Sequence, residues 1–403
     1  MKHPYCKWFL LSTLYLLFFL LCPALQAQQP FNPPVRVWLT RWQSTPLYIT
    51  SQSEWRITGA GAPHRMAAGE TVRVECDATL VTLRLRDKSL QAEEWTIEGD
   101  APLSLSRAQD KSGSSYRGKL TLRVRKGKLQ VVNTLPLEDY LLGVVPLEMP
   151  SSFPSEALKA QAIAARSWTV RNRHKHEADG ADVCDSTHCQ VYGGVTAEKE
   201  STTLAVQNSA GLILVKDGSS VDGVYTADCG GQPAPANGVS TPPPDRDSSG
   251  RDYCLANPGH YWSLIFTFLE VWQAAGEKDS LQDMPNSEAD VQIAQTDASG
   301  RVVTLRIRCG EQTRDVSGTR LRSRLLLPST LFSVRIDKGN TIVFEGSGSG
   351  HGYGLCQWGA AGRAQSGQKA EEICQAYYPG AQIVPLSEAM WQWRKARKPN
   401  SAR

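Results

Sequence analysis

The sequence predicts an α+β fold, a β-rich N-terminal region followed by a core of sheet and helices. Three observations lead there. Between residues 35 and 125 the apolar residues come in short β-branched or aromatic runs: VRVWLT, PLYIT, EWRIT, TVRVEC, VTLRLR and WTIEG. No stretch of helical period interrupts them. From Pro154 the pattern changes to SEALKAQAIAARSWTV, where Leu158, Ala162, Ala165 and Thr169 fall on one helical face. Third, the run GSGSGHGYG at 346–354 is the strongest loop signal in the chain.

Taken in order, Lys2 and Lys7 precede an apolar run from Phe9 to Leu21 and a cleavable Leu25-Gln26-Ala27. That is the pattern of an export signal, residues 1–27. The run is short for a membrane span, so an uncleaved anchor is the alternative. The chain is expected in the periplasm, the cell envelope or outside the cell. Residues 28–128 form the β-rich region, in which TLRVRKGKLQVVN reads as two strands joined at Lys126-Gly127. Residues 129–385 are the core and 386–403 a basic tail, whose part from Trp391 to Arg403 reads as a frayed, solvated end.

Within the core, Pro154 and Ser155 suit the first positions of a helix. Its many alanines predict close packing against a flat partner, a sheet. A second helix is expected over Thr196–Asn208, strands over Gly211–Val215 and Val221–Thr226, and a long loop over 232–251. A helix over Ser263–Ala275, strands over Val302–Arg308 and Ser333–Asp337, and helices from Gln357 and over Lys369–Tyr377 complete the reading.

The formal charge of the chain is +4, and loss of residues 1–27 removes Lys2 and Lys7 and no acid, leaving +2. Such a balance points away from nucleic acid and from an anionic membrane, with peripheral membrane contact at most. Ten cysteines less Cys6 and Cys22 leave eight, an even number, which export would favour as disulfides without choosing their pairing.

Glu148 stands in the apolar run VVPLEMP, bracketed by Pro146 and Pro150, so an extended or turned backbone is expected there. A carboxyl in apolar surroundings has its charged form disfavoured, which suits a general acid near neutral pH. The alternative is a carboxylate that only favours the dipole of the helix behind it.

Several stretches together resemble the stage II sporulation protein D family, also called SpoIID/LytB. They are LPLEDYLLGVVPLEMP, EALKAQAIAARSWTV, CQVYGG, DCGG, SGTRLRSRLLLPSTLFSV, GSGSGHGYGLCQWGAAGRA and YYPGAQI, in family order from Leu129 to Ile383. The resemblance implies a core built around a glycan cleft. It implies a lytic transglycosylase of peptidoglycan that cuts MurNAc–GlcNAc bonds, leaves 1,6-anhydro-MurNAc ends, and prefers strands stripped of peptide by an amidase. It assigns catalysis to Glu148 and places the glycine-rich loop along the cleft. His351, Gln357, Gly350, Gly352 and Tyr192 are the substrate-binding residues expected on this ground. Glu138 and Asp139 open a family motif and are read as structural. A role as a glycan-binding amidase enhancer without chemistry is the alternative, since that role is also attached to relatives.

The stretch from His174 and His176 to Cys184, His188 and Cys189 resembles a structural zinc site, with His176 or His174 as the first ligand. A Cys184–Cys189 disulfide is the alternative. No cofactor is needed for the chemistry. Cys229 and Cys356 stand where many members of the family carry serine, and a bridge between them, or from Cys229 to Cys254, is open.

Overall fold

The computed structural model describes residues 31–109, 113–235, 242–276, 289–337 and 341–390. The expected export signal and the residues from 391 onward lie outside these. Among the described residues no helix is long and apolar enough to cross a membrane.

The N-terminal runs form two sheets. One has seven strands in the order 183–184, 34–38, 128–136, 119–125, 94–99, 55–58, 64–66. The other has six, in the order 114–116, 103–106, 47–51, 71–76, 81–84, 89–92. Alternate residues of both, Val35 and Val37, Leu47 and Ile49, Trp95 and Ile97, Leu120 and Leu122, enter one hydrophobic core. That follows from the two-residue period of a strand.

The expected boundary at 128 falls inside a hairpin, because Lys119–Arg125 pairs with Lys128–Pro136 around Lys126-Gly127. Strand Val183–Cys184 also joins this sheet, parallel to Val37 and Trp38. The β-rich region and the core therefore share a sheet. At the other end Leu386 and Ala389 are buried in the same core, so the tail expected from 386 begins inside the protein.

The helices of eight or more described residues that follow are α1 (Leu137–Glu148), α2 (Ser155–Asn172), α3 (Glu200–Asn208), α4 (Phe268–Ala275), α5 (Gly318–Leu325), α6 (Gln357–Gln365) and α7 (Ala370–Tyr377). The segment around Glu148 corrects the sequence reading, since α1 runs through Pro146 to Glu148. Pro146 forfeits one helical hydrogen bond near the end of the helix. Burial of Leu137, Tyr140, Leu141, Val144 and Val145 outweighs that loss, and Met149 N–H closes the last turn on Val145 O. Met149 is extended, as a residue before proline prefers to be.

From Ala157 to Thr169 every residue of α2 except Lys159 is buried. Its partners are α1, α3, α6 and α7 as well as strand Leu212–Lys216, so helices rather than one flat sheet surround it. Two further expectations shift. Tyr261–Thr267 is a strand paired with Thr341–Ser347, and α4 begins only at Phe268, where Thr267 and Glu270 form a capping box. Of Val221–Thr226 only Tyr225 and Thr226 pair, parallel to Leu355 and Cys356. Residues between Trp262 and Phe344, with α4 and α5, gather a hydrophobic core of their own.

Arg166 of α2 is fully buried and donates to both oxygens of Glu138 at 2.8 and 2.7 Å. It also donates to Leu212 O at 3.0 Å, so one side chain joins α1, α2 and a strand. Glu138→Ala would leave this guanidinium buried without a counter-charge. The expected cost is about 3–5 kcal/mol, read as a lowered midpoint in urea unfolding. A loss within the ~0.5 kcal/mol of an ordinary surface change would contradict the assignment.

Candidate active site

Glu148 ends α1 and lines a cleft of about 270 Å³ with Trp168, Lys175, Thr187, His188, Cys189, Val224, Tyr225 and His351. No other carboxylate lines this cleft among the described residues. Glu148 Oε1 accepts a hydrogen bond from Val191 N–H at 2.6 Å, and the Tyr225 hydroxyl lies near enough to favour the ionised carboxyl. Burial raises the Glu148 pKa, and Val191 and Tyr225 oppose it without cancelling it. The Tyr225 hydroxyl is held in turn by Gln190 Nε2 at 3.2 Å. Gln190 Oε1 accepts from Thr169 Oγ1 at 2.8 Å, which ties the array to α2.

His351 faces the same cleft and also lines an adjoining cavity of about 620 Å³, which shares Val224 with the first. Its ring stacks on Tyr353, and Nδ1 accepts the Tyr353 N–H at 3.0 Å. His351 is exposed as a residue, with Tyr353 covering one face of its ring. Desolvation, with Arg322 and Arg301 near, pushes its pKa down to about 4. His351 is thus a neutral hydrogen-bonding group at physiological pH.

The other expected binding residues are placed differently. Gln357 is buried and turns to Gln161 of α2, Nε2 to Oε1 at 3.4 Å, because the first turn of α6 faces that helix. Tyr192 is buried against Tyr116 and Tyr140, and its hydroxyl donates to Asn133 Oδ1 at 2.9 Å. Neither lines the two cavities. Gly350 and Gly352 have φ of +108° and +82°, and a Cβ there would strike Thr226 and Arg301 respectively. Their glycine is required by the packing of the loop that presents His351. Glu138 pairs with Arg166, away from the cleft. Tyr225, Trp168 and Lys175 escaped the sequence reading. Tyr225 precedes the DCGG stretch by three positions, and Trp168 lies in the alanine-rich stretch, so proximity to a quoted motif was the available signal.

His176, Cys184, His188 and Cys189 converge, their donor atoms all within 4.8 Å of one another. His174 is exposed beside Glu177 and takes no part, so the structure selects His176. His176 Nε2 and His188 Nδ1 are 3.2 Å apart, and each cysteine sulfur is 3.7 Å from His188 Nδ1. From the usual zinc bond lengths, tetrahedral edges are about 3.3 Å for N···N and about 3.6 Å for N···S. The four residues fit that ion. The Cys184 thiol is pushed down to about 3, chiefly by its hydrogen bond with Cys189, which is pushed up in turn.

Fold and site together define a mixed α/β protein whose cleft centres on one desolvated carboxylate beside a histidine–cysteine cluster. The sequence model of the stage II sporulation protein family matches residues 125–215, and a domain of unknown function matches 260–354. Stage II sporulation protein D of Bacillus subtilis is 30% identical over 72% of this chain and 86% of its own length. An uncharacterised Brachyspira hyodysenteriae protein is 33% identical over 68% of this chain and 73% of its own. The amidase enhancer of Bacillus subtilis is 29% identical over 60% of this chain and 40% of its own. The chain belongs to the stage II sporulation protein D family.

The raised Glu148 pKa has a consequence for stability. Between the unfolded value, near 4.5, and the higher folded value, the native state holds the extra proton. Stability therefore falls as pH rises through that window, and the penalty is complete above it. Glu148→Gln removes the penalty, so the variant should gain on the parent in thermal stability at neutral pH. The gain should vanish below pH 4.5, the unfolded carboxyl value. A difference that does not change with pH would refute this.

Proposed function

We infer from membership of the family that the protein has a role connected with the cell wall. We propose that the chain is an exported lytic transglycosylase that cleaves MurNAc–GlcNAc bonds in peptidoglycan glycan strands. The observation that carries this reading is the single carboxyl in the cleft. A glycosidase that uses water needs a second carboxylate as base or nucleophile. Here the substrate supplies the nucleophile. Protonated Glu148 gives its proton to the leaving glycosidic oxygen. The resulting carboxylate takes the proton of the C6 hydroxyl as that oxygen bonds to C1, which closes the 1,6-anhydro ring and restores the acid. Val191 N–H holds the carboxyl in place and, with Tyr225, steadies its ionised form between the two transfers.

His351, neutral and on the opposite loop, is suited to hydrogen-bond sugar hydroxyls. The adjoining cavity extends the groove in the way a strand of several sugars requires. Lys175, which donates to His188 O at 2.7 Å, brings a positive charge to the cleft. Removal of a stem peptide by an amidase exposes a lactyl carboxylate on MurNAc, and Lys175 is placed to meet it. The relative named as an amidase enhancer supports the other reading, binding without chemistry. In the same proposal His176, Cys184, His188 and Cys189 hold a structural zinc ion. Four protein ligands leave no open position for water, so the ion would brace the cleft wall that carries His188 and Cys189.

Incubation of the purified chain with peptide-free glycan strands should yield anhydro-ended fragments by mass spectrometry. Glu148→Gln should still bind strands but lose at least ~10²–10⁴-fold in product formation, the range for loss of a general acid. Undiminished cutting would end the assignment, and absence of cutting by the parent chain with retained binding would favour the enhancer reading. Cys184→Ser should contain one zinc atom fewer than the parent and melt at a lower temperature. Equal zinc in the two proteins would exclude the metal from that cluster.

A further inference from the structure

A second convergence of ligands lies on the other side of the glycine-rich loop. Asp228, Cys229, Cys254 and Cys356 are all buried, and one donor atom from each lies within 4.8 Å of every other. The Cys229 and Cys254 sulfurs are 3.8 Å apart. Two thiolates on one tetrahedral zinc ion, with bonds of about 2.3 Å, stand about 3.8 Å apart. We propose that Cys229, Cys254, Cys356 and Asp228 form a second structural metal site, of the zinc class. It stands apart from the His176 cluster and does not depend on the catalytic reading.

The surroundings favour a bound cation with thiolate ligands. Cys356 caps α6, where its sulfur accepts Gly359 N–H at 3.3 Å and Cys229 N–H at 3.2 Å. Backbone donors of this kind stabilise a thiolate. Asp228 is held by Gly230 N–H at 2.7 Å, Asn257 Nδ2 at 2.7 Å and His260 Nδ1 at 3.0 Å. Such partners commonly orient a ligating carboxylate.

Charge gives an independent argument. Arg301 is buried, donates to Cys229 O and Gln232 O at 2.7 Å, and has no ion-pair partner among the described residues. Its Nε has no hydrogen-bond partner there either. A buried cation needs a counter-charge. Three thiolates around a divalent ion leave a net charge of −1 and supply it, with Asp228 shared between the cluster and His260. Beside the cluster, Asp245 is 3.5 Å from the Cys229 sulfur and already paired with Arg363, and His260 pairs with Asp228 and Asp252. On metal binding the three thiols release their protons to solvent.

The placement says what the ion would do. Cys254 lies just before the unit with its own hydrophobic core, and Cys356 follows that unit directly. Cys229 and Asp228 belong to the main body, beside Tyr225 and Thr226. One ion would clamp both ends of the inserted unit to the wall of the cleft. It would thereby set the height of the loop that presents His351.

Zinc counted by elemental analysis and native mass spectrometry on the purified chain tests this. Two zinc ions per parent chain are expected, one in Cys184→Ser, one in Cys254→Ser and none in the double variant. A count unchanged by Cys254→Ser would overturn the second site while leaving the His176 cluster standing. Should Cys254→Ser fail to fold, the count in the parent decides, since a single zinc ion per chain would overturn the second site, and alkylation of the parent chain tests for a disulfide. Cys229, Cys254 and Cys356 should resist the reagent in the native protein and react once it is denatured with chelator and no reductant. Cysteines that react only after reduction are disulfide-bonded, and that result would also overturn the proposal.

Discussion

The buried helix α2 is the constraint on which the rest of the core depends. A helix closed in on nearly every side can be approached by four others only if its surface is small. The alanines at 157, 160, 162, 164 and 165 supply that surface. Its polar residues are answered locally: Ser167 and Thr169 donate to carbonyls one turn back, and Arg166 reaches Glu138. This last pair fixes the start of α1 against α2. The end of α1, where Glu148 stands, is then delivered to the loop at Val191 and the strand at Tyr225.

The cleft balances two opposed protonation problems. Desolvation penalises the charged form of the buried Glu148 and of the more exposed His351, raising one pKa and lowering the other, with arginines adding to the effect at His351. Each pKa unit is worth about 1.4 kcal/mol, so hydrogen bonds of ordinary strength can correct such shifts but need not erase them. For Glu148 two donors leave a carboxyl that can hold or release a proton. For His351 the nearby arginines add to desolvation and keep the ring neutral. The acid and the hydrogen-bonding group are thus kept in distinct roles by their surroundings.

Two loops border the cleft, and polar contacts add to buried side chains such as Val183 and Tyr192 in holding them. The segment from 182 to 192 is anchored through Asp182 and Asp185, which accept from Arg36, Thr40 and Arg41 of the N-terminal region. The N-terminal sheets are in this sense part of the site, although they contribute no residue to its lining. The glycine-rich loop is held by Thr226 and by strand pairing of Leu355 and Cys356. The cysteine-rich clusters lie where these loops leave the core, which is where a metal clamp would stiffen them most.

Period and composition determined much of this protein. Short alternating runs produced the two N-terminal sheets, and the alanine pattern marked α2, because strand and helix periods are local properties of the chain. The motif order marked the family and, with it, Glu148 and His351 as the residues facing one cleft. What local pattern could not decide was orientation and context. Pro146 argued for a break, yet burial of one face of α1 carried the helix past it. Tyr192 and Gln357 sit in quoted motifs, yet packing turns both inward, and Tyr225 reaches Glu148 from a distant strand. The meeting of Cys229, Cys254 and Cys356 spans an entire inserted unit. Such contacts are set by how layers pack across long separations, which no local spacing encodes, so only the tertiary structure could place them.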